Sequence, residues 1–225
     1  MIFSSLDLAP KLQQALDACG YTEMTAIQEQ AIIPARRGKD ILANAQTGTG
    51  KTAAFSIPIL QKISDNPMPT ITGEPRALIL TPTRELAEQL EETIKRYAQF
   101  MSLSINALYG GVKLSAQEKK LKAGIDVVIA TPGRLLEHMA KGNVKLSGVE
   151  FVVLDEADRM LDMGFIHDIK KLIVKLPRQR QSLFFSATMP QDKIGRAHVW
   201  TPVTDVSRMP SSAWKRGGGG GGGGG

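Results

Sequence analysis

A single cysteine, Cys19, stands in the chain, so no intrachain disulfide can form. A disulfide-stapled secreted scaffold is thereby excluded, and a cytosolic, cytoplasmic protein is the expectation. Long apolar runs are also missing: the longest, such as Val149 to Leu154, have strand length and cannot span a bilayer. Met1 to Pro10 carries no basic stretch followed by an apolar one, so no signal peptide is expected. Histidine is scarce, and His138 and His167 have no partners at ligand spacing, which favours surface or helix-end roles over metal binding. Charge of one sign is not in great excess either. The formal +6 only weakly favours an anionic partner, because a modest surplus of Lys and Arg is usually a solvated surface. What is present is 42% hydrophobic residues in 225, enough for one globular domain with a core and too little for two large ones.

The composition changes near Ile194. Residues 194–225 show little hydrophobic periodicity, hold both tryptophans, Trp200 and Trp214, and end in nine glycines. Ile194 to Val203 back-translates in frame into a common short-read sequencing adapter, with TGA read as Trp200. Arg208 to Trp214 fits the far end of the same adapter, and the glycines fit a run of G calls. The segment is therefore expected to be translated adapter plus a glycine run, disordered, rather than native sequence. It carries Arg196, Arg208, Lys215 and Arg216 against Asp205, a net +3 of the +6, which leaves +3 on residues 1–193. Half of the basic charge lies in the tail, so net charge says little about residues 1–193 and their motifs say more.

Within 1–193 the hydrophobic period alternates between two and 3.6. Strands are expected at Asp40–Ala43, Ala77–Thr81, Ser104–Leu108, Asp126–Ala130, Phe151–Leu154 and Ser182–Phe185. Helices are expected over Leu8–Cys19, Ile27–Arg37, Thr52–Ile63, Arg84–Phe100, Ser115–Leu121, Arg134–Met139 and His167–Leu176, and Asn66–Pro75 reads as a loop. Short apolar strands separated by amphipathic helices predict an α/β fold: an open, mostly parallel sheet with helices on both faces. Such sheets bind ligands beyond the carboxyl ends of their strands. Cys19 and Met160 and Met163 read as packing residues.

Two motifs carry chemistry. Ala45-Gln46-Thr47-Gly48-Thr49-Gly50-Lys51-Thr52 follows a strand and opens a helix, with Ala45 where the P-loop pattern begins with glycine. Gly48 and Gly50 let the backbone wrap a phosphate and present N–H groups to it. Lys51 would reach the β- and γ-phosphates and Thr52 would give Mg²⁺ a hydroxyl. Asp155-Glu156-Ala157-Asp158 follows the strand Phe151–Leu154. Alone it is a common acidic helix start. With the P-loop upstream it becomes a Walker B arrangement, where Asp155 holds Mg²⁺, largely through water, and Glu156 orients or deprotonates the attacking water. The catalytic set is thus Lys51, Asp155 and Glu156.

Together these motifs resemble the DEAD-box RNA helicases, and the resemblance covers essentially all of 1–193 as the first of two RecA-like P-loop domains. Gly20-Tyr21, Thr25, Ile27 and Gln28 resemble the family's adenine-recognising Q motif, with Phe3 at the upstream aromatic position. Tyr21 could stack on the base, and the Gln28 amide could both donate to and accept from adenine, selecting ATP. Met24 and Ala26 depart from the family's usual prolines. Pro82-Thr83-Arg84-Glu85-Leu86-Ala87, Gly110-Gly111 and Thr131-Pro132-Gly133-Arg134 match the RNA-facing motifs. Each puts hydroxyls, free N–H groups or an Arg at a strand-to-helix junction, as gripping a sugar-phosphate backbone without reading bases requires. Ser186-Ala187-Thr188 matches the motif that couples nucleotide state to RNA grip, its hydroxyls expected near Asp158. Leu154 to Ile169 looks most like the bacterial RhlE-type branch.

The resemblance implies ATP and Mg²⁺ as cofactors and RNA as partner. It also implies a second RecA-like domain, absent from this chain, that brings the arginine finger. The fragment alone is expected to lack efficient hydrolysis and unwinding. Two rival readings stay open: a stand-alone ATP- and RNA-binding module, which requires a genuine tail, and a DNA-directed helicase or other P-loop ATPase.

Overall fold

The computed structural model describes residues 1–188. The adapter-like block 194–225 lies outside the described residues. Six strands form one parallel sheet: β1 (Ile41–Asn44), β2 (Ala77–Leu80), β3 (Ile105–Leu108), β4 (Val127–Ala130), β5 (Phe151–Leu154) and β6 (Gln181–Ser186), in the order β1-β6-β5-β2-β4-β3. Every strand expected from the sequence is present, with ends shifted by a residue or so. Because successive side chains point to opposite faces, the inner strands feed two cores, whereas edge strand β1 buries only Ile41 and Ala43. Ala77 and Ile79 of β2, Val127 and Ile129 of β4, and Phe151 and Val153 of β5 enter one, while Leu78 and Leu80, Val128 and Ala130, and Val152 and Leu154 enter the other. That double burial is why these strands read as unbroken apolar runs.

The first core is covered by α1 (Pro10–Ala18), α2 (Ala26–Arg36), α3 (Lys51–Asp65) and α4 (Arg84–Tyr97). The second is covered by α5 (Leu114–Lys122), α6 (Pro132–Ala140), α7 (Ala157–Asp162) and α8 (Ile166–Ile173). Local chemistry sets the helix starts. Thr25 and Gln28 form a reciprocal capping box on α2, Thr83 caps α4 by accepting from the Leu86 amide, and Pro132 opens α6. In α4 the buried Ala87, Leu90, Ile94 and Tyr97 fall on one stripe. α3 is buried on most sides, and its Phe55 meets Phe185 of β6 with ring centroids 5.4 Å apart.

Three local expectations are corrected. His138 is fully buried rather than at the surface, because its ring lies in a polar network between α5 and α6. Met163 is exposed, since it follows the last turn of α7, whereas Met160 is buried as expected. α7 itself was not among the expected helices; at six residues it is too short to show a period. Cys19 is partly buried against the first core.

Candidate functional site

The carboxyl ends of β1, β2, β4, β5 and β6 converge on one edge of the sheet, and nearly every motif residue lies there. The loop after β1 runs from Ala45, whose amide bonds to the Ser186 carbonyl, into the first turn of α3. Gly50 caps that helix at φ +92, a left-handed conformation, and an added Cβ would stand 2.4 Å from Gln28 Nε2. Thr25 Oγ1 donates to the Thr49 carbonyl at 2.8 Å and Gln28 Nε2 donates to that of Gly50 at 3.3 Å. Gln28 is itself 2% exposed, and its Oε1 accepts from the Thr25 amide. The Q-motif amide therefore braces the P-loop, using two of its four hydrogen-bond positions.

Lys51 Nζ stands 3.4 Å from Asp155 Oδ1, both side chains more than nine-tenths buried. Neither atom has a hydrogen-bond partner. Burial pushes the Asp155 carboxyl up from its ordinary value, Lys51 opposes this, and the adjacent Glu156 adds to it. A buried ammonium and carboxylate with unfilled hydrogen-bonding capacity suit a phosphate and a cation. Among the described residues no group of three His, Cys, Asp or Glu could hold a metal by itself. Mg²⁺ commonly takes one or two protein ligands and completes its shell with phosphate and water. Thr52, next to Lys51 in the first turn of α3, and Asp155 are the two candidates.

Glu156 sits at φ +53, the left-handed region disfavoured for a side chain with a Cβ. Its two oxygens accept from Thr47 Oγ1 at 3.3 Å and Arg159 Nη1 at 3.2 Å. The acid after the strand is thus aimed at the P-loop by a backbone turn that the sequence did not reveal. Tyr21 packs edge-on against Phe3 and Tyr97, and its hydroxyl bonds to that of Tyr97 at 2.5 Å. Burial, then the Tyr21 bond, pushes the Tyr97 phenol far up from its ordinary range. Phe3 is wholly buried beneath Tyr21, so it supports that ring and has no face left for a base.

On the same edge, the Arg84 guanidinium lies over the Tyr109 ring, 5.2 Å from its centroid, and 3.6 Å from where a Gly111 Cβ would be. Gly110 and Gly111 are exposed. Pro82 and Pro132 are buried, Thr83 serves as a helix cap, and Thr131 and Gly133 are partly exposed. Arg134 departs from the expectation of a phosphate-gripping cation. Its side chain is turned inward, donating to the Val112 carbonyl and Gln117 Oε1 and pairing with Glu137. Thr188 meets Asp158: its amide and hydroxyl both donate to Asp158 Oδ2, at 2.9 and 2.8 Å, while Ser186 Oγ donates to the Thr188 carbonyl. Burial would raise the Asp158 carboxyl, but these bonds outweigh it and hold the group below its ordinary value.

The family model for DEAD/DEAH box helicases matches residues 25–196. The chain belongs to the DEAD-box helicase family. It is 44% identical over 199 residues to the DEAD-box ATP-dependent RNA helicase CshA of Streptococcus pneumoniae, covering 88% of this chain and 37% of that protein. It is 43% identical to the ATP-dependent RNA helicase RhlB of Pseudomonas syringae pv. tomato, over 88% of this chain and 51% of the relative. The crystal structure of a DEAD box protein from Methanococcus jannaschii superposes with a TM-score of 0.82 at 37% identity, covering 90% of this chain and 54% of that one. The fold is the RecA-like N-terminal domain of DEAD-box proteins, and the chain spans well under two thirds of each of these relatives.

Proposed function

We propose that this DEAD-box chain is the ATP-binding and RNA-backbone-binding half of an ATP-dependent RNA helicase, acting in the cytoplasm. The observation that carries the reading is the buried Lys51–Asp155 pair beneath a glycine-capped helix start, on the same sheet edge as the loops holding Arg84, Gly110-Gly111 and Thr131–Arg134. ATP would enter against the amides of residues 46–50 and the α3 N-terminus, with Lys51 neutralising the terminal phosphates. The Gln28 oxygen lone pair and N–H not already used would face the base, and Tyr21 would pack on it. Thr52 and Asp155 would hold Mg²⁺, which when bound neutralises charge on the β- and γ-phosphates. Glu156, held by Thr47 and Arg159, would orient the attacking water. The Asp158–Thr188 bonds link this acidic segment to the end of β6 and would carry nucleotide state toward the RNA-facing loops.

The relatives are more than twice the matched length in the case of CshA. A second RecA-like domain supplying an arginine finger accounts for the difference in our reading; such a finger is worth about a thousandfold or more in turnover. The 225-residue chain is therefore expected to bind a fluorescent ATP analogue weakly and to release phosphate negligibly, with or without RNA. RNA-stimulated release at the rate of an intact two-domain helicase would overturn this. Single-stranded RNA is expected to compete for the loops better than DNA of the same sequence; equal binding would favour a DNA-directed ATPase. Placement within an RhlE-type branch rests on residues 154–169 alone.

A further inference from the structure

We propose that Gln117 and His138 are positioning residues for RNA, clamping the Gly110-Gly111 loop against the Thr131–Arg134 helix start so that both present one fixed surface. The inference rests on the RNA reading above. Both side chains are buried, Gln117 at 4% and His138 at 0% exposed. Gln117 Nε2 donates to the Tyr109 carbonyl at 3.1 Å, and its Oε1 accepts from Arg134 Nη1 and His138 Nε2, each at 3.0 Å. Arg134 Nη1 also donates to the Val112 carbonyl at 3.1 Å. The carbonyls on either side of the glycine pair are therefore held by Gln117 and Arg134, which are bonded to each other. Among the described residues neither glycine amide donates to another backbone carbonyl, and Gly111 adopts φ +83. Two exposed amides in a braced turn suit a phosphate oxygen.

The network closes in only one arrangement. Flipping the Gln117 amide would set its NH₂ against the Arg134 and His138 donors and its oxygen against the Tyr109 carbonyl. Since Oε1 can only accept, His138 Nε2 carries the proton and Nδ1 accepts from Asn143 Nδ2 at 3.3 Å. Asn143 is fixed in that sense by donating to Glu118 Oε1 at 2.8 Å. A second proton on Nδ1 would meet the Asn143 NH₂ head-on. The charged groups around the ring are Arg134 and Glu137 on α6, Lys141 just after it and Glu118 on α5, while on α8, which also packs on α6, Lys171 pairs with its own Asp168. Burial, then Arg134, already holds the imidazole below its ordinary value.

The test uses the 225-residue chain. The Gly110 and Gly111 amide resonances are followed as pH falls from about 7.5 through the ionisation of the His138 ring itself, which burial sets below the ordinary imidazole value. They are expected to shift together with the His138 ring signals in the unaltered protein and to stay put in His138→Gln, which can still donate to Gln117. Glycine resonances that ignore His138, or titrate identically in His138→Gln, overturn the clamp. Gln117→Ala, which removes all three bonds, and Gln117→Glu, which keeps the two acceptor bonds but sets a carboxylate oxygen against the Tyr109 carbonyl, are then compared for binding a labelled single-stranded RNA. Affinity is expected to fall about tenfold, as for one lost hydrogen bond to a charged group, with ATP-analogue binding reporting that each variant is folded. Folded variants with unchanged RNA affinity overturn the proposal. If the glycines follow His138 but the unaltered protein binds no RNA, the RNA reading falls and the positioning role falls with it, leaving only a structural clamp.

Discussion

Lys51 and Asp155 form a buried pair that neither residue can leave without cost. Removing one partner strands the other as an uncompensated charge, an effect of about 3 kcal/mol or more. Lys51→Met is therefore expected to lower stability by about that amount in urea unfolding at neutral pH, and adding Asp155→Asn should restore most of it. Neither variant should bind nucleotide. Sign follows from the raised Asp155 value, caused first by burial. A carboxyl raised in the folded state favours folding below its unfolded value near 3.8 and costs stability as pH rises through the folded one. The Lys51→Met defect should accordingly grow from acid to neutral pH; a defect independent of pH would mean that Asp155 is not the group left behind. Glu156 stores a smaller strain of about 1 kcal/mol in its left-handed backbone, which is tolerated because that turn aims its carboxylate at Thr47.

At the scale of elements, the start of α2 and the start of α3 are one unit. Gln28 closes the capping box of α2 and ties the Gly50 carbonyl that caps α3. Gln28→Ala is expected to cost about 1 kcal/mol from the lost cap and to weaken ATP-analogue binding, read by thermal melting and fluorescence titration. Gly50→Ala should be worse, because its Cβ would stand 2.4 Å from Gln28 Nε2 on a left-handed backbone; undiminished nucleotide binding there would contradict the bracing role. The α5–α6 contact adds a pH dependence. His138 is lowered in the folded state, by burial first, so the unfolded chain binds the extra proton more readily. Its contribution to stability is present above about pH 6.5 and lost as pH falls through the folded value. Melts of His138→Gln should show a shallower acid slope than the parent protein.

For the whole molecule, the proposed ATP and RNA surfaces share one sheet edge, and a polar network closes the opposite one. There the buried Asp126 carboxylate accepts from Thr70 and from the Ser104 amide, stitching the 66–75 loop to the start of β4. RNA binding at the upper edge should be sequence-independent and fall with added salt, about 0.7 log units per log unit of salt for each phosphate contacted on a single strand. A salt-insensitive affinity would point to base stacking instead. Residues 194–225 admit a direct check: the 3′ end of the gene, sequenced from an adapter-free library, is expected to depart from Ile194 to Gly225 and continue into a second RecA-like domain. Recovery of the same tail would favour the stand-alone binding module.

The strand set, the parallel α/β class and the placing of the two motifs proposed to handle phosphate were legible in the sequence, because they depend on local periodicity and on residues adjacent along the chain. Strands buried on both faces are apolar at every position, and a P-loop is continuous from Ala45 to Thr52. Contacts across the fold were not legible. Nothing in the spacing announces that Gln28 braces Gly50, that Arg134 turns inward to hold Val112, or that His138 is buried beside Gln117, each pair lying 21 or 22 residues apart. The Arg134 and His138 pairings arise only because the sheet sets β3 beside β4, and the Gln28 pairing because α2 packs on α3. The sequence by itself determined which chemistry is available; the tertiary structure decided which side chains are free to face a ligand and which are spent holding the others in place.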